Sequence, residues 1–130
     1  MPIEIEYTDD TLGVIFSAVG KVTGKEIIDK QKDVYRSKEF PRLRYWIVDR
    51  SRCTEYDVST EEVSEIAAID NEAAHINPHL IMALVAESDL QFGISRMYES
   101  QITEKGFTTE VFREREAAER WIFSKIDRNG

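Results

Sequence analysis

The chain has 130 residues, of which 42% are hydrophobic, and this is enough to form one hydrophobic core of ordinary size. Its 25 acidic and 17 basic side chains give a formal net charge of -8, which disfavours binding to the polyphosphate backbone of nucleic acids. The sequence has a single cysteine, Cys53, and neither an export leader nor an apolar run long enough to span a membrane. We therefore expect one cytoplasmic domain over residues 1–130, not inserted in a membrane, with a loose tail at 127–130.

The first elements predicted along the chain are two strands joined by a turn. Ile3, Ile5 and Tyr7 alternate with acidic residues, which is typical of a half-exposed strand. Residues 8–11 are turn formers, and the apolar residues 12–19 follow as a more deeply buried strand. The pattern predicts a β-hairpin at the start of the chain.

Three helix starts carry the spacing of a capping box, in which a hydroxyl residue is followed three positions later by Glu or Gln. The pairs are Thr23 with Glu26, Ser59 with Glu62, and Ser88 with Gln91. Near the first of them, Gly20, Lys21 and Gly24 suggest a phosphate-binding loop, but their spacing fits neither the P-loop nor the dinucleotide pattern. We interpret Gly20 as a turn residue and Gly24 as part of the first helical turn.

A central strand is predicted over residues 43–48, where aromatic and β-branched side chains occupy both faces. This strand should end at Asp49, and the mixed-charge residues 49–59 then form the longest predicted loop. Loops at the carboxyl ends of parallel strands commonly bind ligands, so this loop and the neighbouring helix starts form the leading candidate site. The alternative is that Arg50 and Arg52 pair with nearby acids on a solvated surface. The candidate ligand-binding residues are Lys21, Asp49, Arg50, Ser51, Arg52 and Ser88.

Asp70 falls within the apolar stripe of the second predicted helix. A carboxylate in that position must be hydrogen-bonded, paired or shifted toward its neutral form. We interpret Asp70 as a structural tie between elements, with a role in a ligand site as the alternative.

Residues 79–86 form an unbroken apolar run of strand length, followed by the third helix. In that helix we expect Gly93 to pack closely against the sheet. A short strand at 107–112 and a last helix at 114–126 complete the chain. The residues expected on the inward face of the third helix are Leu90, Ile94, Met97, Tyr98 and Ile102.

The resulting order is β-β-α-β-α-β-α-β-α, which predicts an α/β domain with a mostly parallel five-stranded sheet and an antiparallel edge strand. If the strands follow one another across the sheet, right-handed crossovers place the helices mainly on one face. Residues 80–86 are apolar on both faces, so the other face needs a lid or a second subunit, and we predict a homodimer.

Over residues 3–123 the sequence resembles the anti-sigma-factor-antagonist family, also called STAS-like or SpoIIAA-like, and in it the small stand-alone STAS/Sec14-like proteins. The likeness is strongest in residues 83–86, 92–98 and 111–114, and in Ala117, Ala118 and Trp121. It implies a regulatory or protein-interaction module. In signalling members of the family, a Ser or Thr before the helix after the third strand is phosphorylated. With Asp57 aligned, Val58 occupies that position here, and only a one-residue slip makes Ser59 the candidate.

The residues themselves indicate no reaction. The available constellations are Cys53 with Asp49 or Asp57, and His75 with His79, whose separation by Asn77 and Pro78 keeps them off one helical face. We therefore predict no catalytic residue, metal or cofactor. The first functional hypothesis is a non-catalytic regulatory or protein-interaction module, and the alternative is a binding protein for a small anionic or apolar ligand at the carboxyl edge of the sheet.

Overall fold

A computed structural model describes residues 2–129 of the chain, with side chains through residue 126. It contains five strands, four helices and a short 3-10 helix over Phe40–Arg42. The strands are β1 (Ile3–Tyr7), β2 (Gly13–Thr23), β3 (Tyr45–Asp57), β4 (Ile81–Val85) and β5 (Thr108–Phe112). The helices are α1 (Gly24–Arg36), α2 (Thr60–Ala73), α3 (Asp89–Ser100) and α4 (Arg115–Asn129).

The strands form one sheet in the order β1-β2-β3-β4-β5. β1 pairs antiparallel with β2, and the other neighbours pair in parallel. A helix connects each parallel strand to the next, as a crossover requires. The predicted α/β class, element order and antiparallel edge strand are confirmed.

The second half of β3 corrects the prediction of a loop at residues 49–59. β3 continues to Asp57 and pairs with the end of β2, which itself runs to Thr23 instead of ending at residue 19. β4 ends beside Asp49, so the rest of β3 extends beyond it and exposes most of its side chains. Polar residues suit a strand that faces solvent, so the polarity of residues 49–57 does not distinguish a strand from a loop. We call residues 17–23 and 49–57 together the β2–β3 ribbon.

The pairing within this ribbon is irregular at two places. The register shifts between Ser17 and Val19, opposite Asp49 to Arg52, and again between Gly20 and Lys21. Gly20 has a φ of 68° at the second shift, where β3 carries the extra residue Thr54, so Gly20 lies opposite a β-bulge of β3 and does not form the predicted chain turn. Bulges of this kind redirect side chains, and the first one lies at Arg50.

The helices cover the two faces of the sheet unequally. α1, α2 and α3 pack on one face, where Phe16, Trp46 and Met82 belong to the larger hydrophobic cluster. α4 packs on the other face over β3, β4 and β5, placing Ala118 and Ile122 against their apolar side chains. α4 is thus the lid that the apolar character of residues 80–86 requires, and the homodimer stays a prediction.

The helix ends follow the predicted capping chemistry in two of three cases. Both bonds of the capping box are present at Thr23 and at Ser59. At α3 the Ser88 hydroxyl accepts from the Gln91 backbone N–H, but the Gln91 side chain does not return the bond. At the other end of the chain, α4 runs to Asn129, into the segment predicted as a loose tail, and Gly130 lies outside the described residues.

The inward face of α3 follows the prediction in part. Tyr98 is buried, and Ile94, Met97 and Ile102 are half-buried against the larger hydrophobic cluster, as predicted. Leu90 is 72% exposed, and a side chain at Gly93 would meet open space, so neither packs against the sheet. The buried residues of α3 are Gln91, Ser95 and Tyr98, which follow one another at helical spacing. The helix therefore turns polar side chains toward the interior and an apolar one toward solvent.

Candidate functional site

Several elements each place a polar side chain between the sheet and helices α1–α3. Gln31 of α1, Asp70 of α2 and Ser95 of α3 are at most 3% exposed, and Arg50 of β3 is 8% exposed. Lysine, arginine and carboxylate side chains are seldom so deeply buried without a partner of opposite charge. This polar group within an apolar core is the feature that distinguishes the site.

Arg50 lies at the first bulge of the β2–β3 ribbon and points toward α3. Its Nη1 donates a 2.6 Å hydrogen bond to the Ser95 hydroxyl, and its guanidinium lies 4.7 Å from the centre of the Tyr56 ring. Among residues 2–126, no acidic side chain forms a salt bridge with Arg50. A buried cation held by a neutral hydroxyl and an aromatic ring has the electrostatic character of an anion-binding group.

Arg50 forms part of a groove of about 450 Å³ at the carboxyl edge of the sheet. One wall is the β2–β3 ribbon, with Ser51 and Tyr56, and the other is the start of α3, with Ser88 and Leu90. Gln91 also lines the groove, and its Oε1 is buried without a hydrogen-bond partner in the described structure. The groove therefore combines a cationic donor, an unused acceptor and an exposed apolar side chain. We call it the edge groove.

Arg50 also lines a smaller cavity of about 40 Å³ between the sheet and the helices. We call this the inner cavity. Its walls are mainly apolar, and its polar members besides Arg50 are Gln31, Trp46, Asp70 and Tyr98. Two buried atoms of these residues, Gln31 Oε1 and Trp46 Nε1, have no hydrogen-bond partner in the described structure. The apolar residues that line the inner cavity are Phe16, Ile27, Val48, Ile66, Met82 and Leu84.

Asp70 ties the three helices on this face together. Its carboxylate accepts hydrogen bonds from the hydroxyls of Tyr35 and Tyr98, and from Gln31 Nε2 at 2.6 Å. Burial raises the pKa of Asp70 to about 6, although these three hydrogen bonds favour its charged form. Burial, together with the neighbouring Asp70 charge, raises the pKa of both tyrosines well above the usual value. The predicted structural tie is present, and it also borders the inner cavity.

Only three of the six residues predicted for an anion site lie together in the structure. Arg50, Ser51 and Ser88 line the edge groove. Arg52 pairs with Glu4 at 3.0 Å, and Lys21 pairs with Glu55 at 3.6 Å on the exposed ribbon, so these two cations have acidic partners elsewhere.

Asp49 lies on the α4 side of the sheet, where it accepts from Arg115 at 2.9 Å and from the Ser51 backbone N–H. Burial raises the pKa of Asp49, but the bonds from Ser51 and Arg115 outweigh it and leave the pKa lowered. Ser59 lies apart from the groove, as the exposed N-cap of α2 beside Glu62. In the structure, Asp49 therefore connects β3 to Arg115 of α4, and Ser59 caps α2.

The sequence reasoning did not assign Trp46, Gln91 or Ser95 to the site. Trp46 reads as an ordinary strand aromatic, and its unused N–H is a property of the packed structure. Gln91 and Ser95 carry a usable signal, because polar residues four positions apart on a helix predict one shared face. The apolar residues of α3 form a stronger pattern, and they pack beside this polar pair.

Two further observations concern metal binding and membrane insertion. In the described residues, no three His, Cys, Asp or Glu side chains are grouped so that they would hold a metal ion. None of the described helices combines the length and apolar character needed to cross a bilayer.

Comparison with known proteins agrees with this architecture. No model of a known protein family matches the sequence, and no curated protein matches it. Among solved structures, the chain is similar to the anti-sigma factor antagonist SpoIIAA in its unphosphorylated form, with a TM-score of 0.58 and 11% identity over 92% of this chain and 96% of that one. It is also similar to an uncharacterised DUF3478-family protein from Shewanella loihica with a SpoIIAA-like fold, with a TM-score of 0.54 and 18% identity over 92% and 91% of the two chains. The protein therefore has a SpoIIAA-like, or STAS-like, fold.

Proposed function

We propose that this protein is a non-catalytic regulatory module that binds a small anionic ligand in the edge groove. Arg50 carries the proposal, because it is a buried guanidinium without an acidic partner among the described residues and it lines the groove. A protein that keeps a charge in this position bears a desolvation cost, which an anionic ligand would offset. The carboxyl edge of a parallel sheet is also where ligands of open α/β folds usually bind.

The groove offers a ligand more than one point of contact. The positive end of the α3 helix dipole lies at Ser88, beside the groove. Gln91 lines the groove, and its buried Oε1 is an acceptor for a ligand donor that reaches it. Two acidic side chains, Glu55 and Glu87, also line the groove, and they oppose binding of large or highly charged anions. These features favour a small ligand with one or two negative charges.

A regulatory module also needs a surface through which ligand binding is communicated. Leu90 is 72% exposed at the rim of the edge groove, on the same helix that holds Ser88 and Gln91. A partner protein that contacts Leu90 would sense movement of the α3 start when a ligand binds. This arrangement supports the protein-interaction hypothesis through the same groove, and the similarity to an anti-sigma factor antagonist agrees with it.

Thermal-shift measurements with inorganic phosphate, acetate, propionate and lactate test the proposal. We expect at least one of these anions to raise the melting temperature of the wild-type protein, because ligands that bind the folded state stabilise it. The R50M variant should lose the shift, and the matched variant R52M, which removes an exposed arginine paired with Glu4, should retain it. Equal shifts in wild type and R50M, or no shift with any anion, would contradict the proposal.

The location, partners and oligomeric state of the module are also part of the proposal. We propose that it acts in the cytoplasm, because its single cysteine, Cys53, fits a reducing compartment. We also propose that nucleic acid is not a partner, because the formal net charge is -8. The homodimer remains a proposal that light scattering at micromolar protein concentration tests directly.

A further inference from the structure

Two residues that line the inner cavity each carry a buried hydrogen-bonding atom without a partner in the described structure. Trp46 Nε1 is a donor and Gln31 Oε1 is an acceptor, and both residues are 2% exposed. The orientation of the Gln31 amide is fixed, because its Nε2 donates to the Ile66 carbonyl at 3.1 Å and to Asp70 at 2.6 Å. One unused donor and one unused acceptor, on residues that line the same small cavity, match a hydroxyl group, which both donates and accepts.

The size of the inner cavity limits the rest of the ligand. Its volume is about 40 Å³, and a water molecule needs roughly 10–15 Å³ measured in the same way. The cavity therefore holds on the order of three water-sized groups, which corresponds to a hydroxyl and the one or two carbons attached to it. Asp70 and Tyr98 also line the cavity, where they hydrogen-bond to each other. The other walls are apolar, with Phe16, Ile66 and Leu84 among them, and they suit the carbons.

Arg50 connects the inner cavity to the edge groove, because its side chain lines both. A carboxylate bound to the guanidinium would lie at this boundary, and a substituent on the adjacent carbon would reach the inner cavity. We propose that the ligand is a compact 2-hydroxycarboxylate, whose carboxylate binds Arg50 and whose hydroxyl pairs with Gln31 and Trp46. This inference rests on the proposed function, since both use Arg50, and it names the chemical class of the ligand.

The comparison of lactate with propionate tests the ligand class, because the two acids differ only by the hydroxyl. We expect wild-type protein to bind lactate about tenfold more tightly than propionate, the effect of one net hydrogen bond. The indole N–H resonances of the two tryptophans give a second readout in 15N-labelled protein. Lactate should shift the Trp46 resonance in a saturable manner and leave that of Trp121 unchanged, since Trp121 packs with Phe112 on the α4 side. The W121F variant assigns the two signals.

Variants separate this inference from the proposed function. Gln31→Met keeps the length of the side chain but removes its acceptor, together with the Nε2 donor to Ile66 and Asp70. The preference for lactate should disappear while propionate binding at Arg50 remains. Should lactate and propionate bind wild type equally, with no movement of the Trp46 resonance, the ligand class is wrong, although Arg50-dependent binding of both acids would still support the proposed function. Should both acids bind R50M as well as wild type, the anion site itself is wrong. If water alone occupies the inner cavity, lactate and propionate will bind wild type equally and the Trp46 resonance will not move.

Discussion

Arg50 and Ser95 form a buried 2.6 Å hydrogen bond that joins the central strand to α3. The acceptor is a neutral hydroxyl that is fully buried, so it orients the guanidinium without neutralising it. Most buried arginines of stable proteins are paired with a carboxylate, because an uncompensated charge loses its hydration. This single contact explains how the protein keeps a positive charge available at the boundary between the edge groove and the inner cavity.

The variant Arg50→Met should fold and be slightly more stable than wild type. Removing an uncompensated buried charge relieves its desolvation cost, and methionine fills a similar space, so we expect the free energy of unfolding to rise by about 1 kcal/mol. Urea denaturation measures this change. A loss of more than about 3 kcal/mol would show that Arg50 is a structural residue comparable to a core side chain.

Asp70 should make the stability of the protein fall as the pH rises from about 4 to about 6. Its folded-state pKa is raised from 3.8 to about 6, so in this interval the folded protein holds a proton that the unfolded chain has released. The stabilisation is complete below the unfolded pKa and is lost as the pH rises through the folded pKa. The difference between a pKa of 3.8 and one of about 6 corresponds to roughly 3 kcal/mol.

The variant Asp70→Asn isolates this effect from that of other carboxyl groups. The groups that face Asp70 are Tyr35 on α1 and Tyr98 on α3, and Arg50 of β3 lines the same cavity. Asp49, whose pKa is lowered, contributes in the opposite sense but equally in both proteins. From pH 4 to pH 7, the free energy of unfolding of wild type should therefore fall relative to that of D70N. A constant difference between the two proteins would mean that Asp70 titrates normally.

Gly93 should be replaceable with a gain in stability. It lies inside α3 with open space where a Cβ would stand, and alanine favours a helix by about 1 kcal/mol over glycine. We therefore expect G93A to raise the melting temperature. The contrasting variant G20A should lower it, because Gly20 has a φ of 68°, which strains other residues. The prediction fails if G93A is destabilised to the same degree as G20A.

The role of α4 as the lid of the second face predicts a large cost for Ile122→Ala. Ile122 is fully buried against β3 and β4, and removing such a side chain typically costs about 2–5 kcal/mol. Phe123→Ala is the matched control one position later, since Phe123 is 45% exposed and its ring meets that of Tyr45 edge-on. Chemical denaturation of both variants should show the larger loss for I122A. Similar small losses would indicate that α4 covers the sheet only loosely.

The architecture was predictable because hydrophobic periodicity and capping residues report local structure directly. The alternating residues of β1, the capping boxes at Thr23 and Ser59, and the apolar run of β4 each point to one element. The ribbon formed by β2 and β3 was not predictable in the same way. Its backbone is held by pairing between strands, while the side chains of residues 51–57 are mostly exposed and carry no strand-like alternation.

The candidate site was predictable only in part, for a related reason. Arg50, Ser51 and Ser88 were found because the carboxyl edge of a parallel sheet follows from the order of elements. That Arg50 lacks an acidic partner while Arg52 and Lys21 have one depends on which way each side chain turns at the bulges of β3. A sequence specifies that outcome only through the complete packed structure.

Calorimetric titration of lactate into wild type, R50M and R52M tests the central claim most directly. If Arg50 is the anion-binding group of the edge groove, wild type and R52M will bind with similar dissociation constants, and R50M will bind at least about tenfold more weakly, the equivalent of one charge-assisted hydrogen bond. Equal affinity of R50M and wild type, or equal weakening in R50M and R52M, would contradict the account.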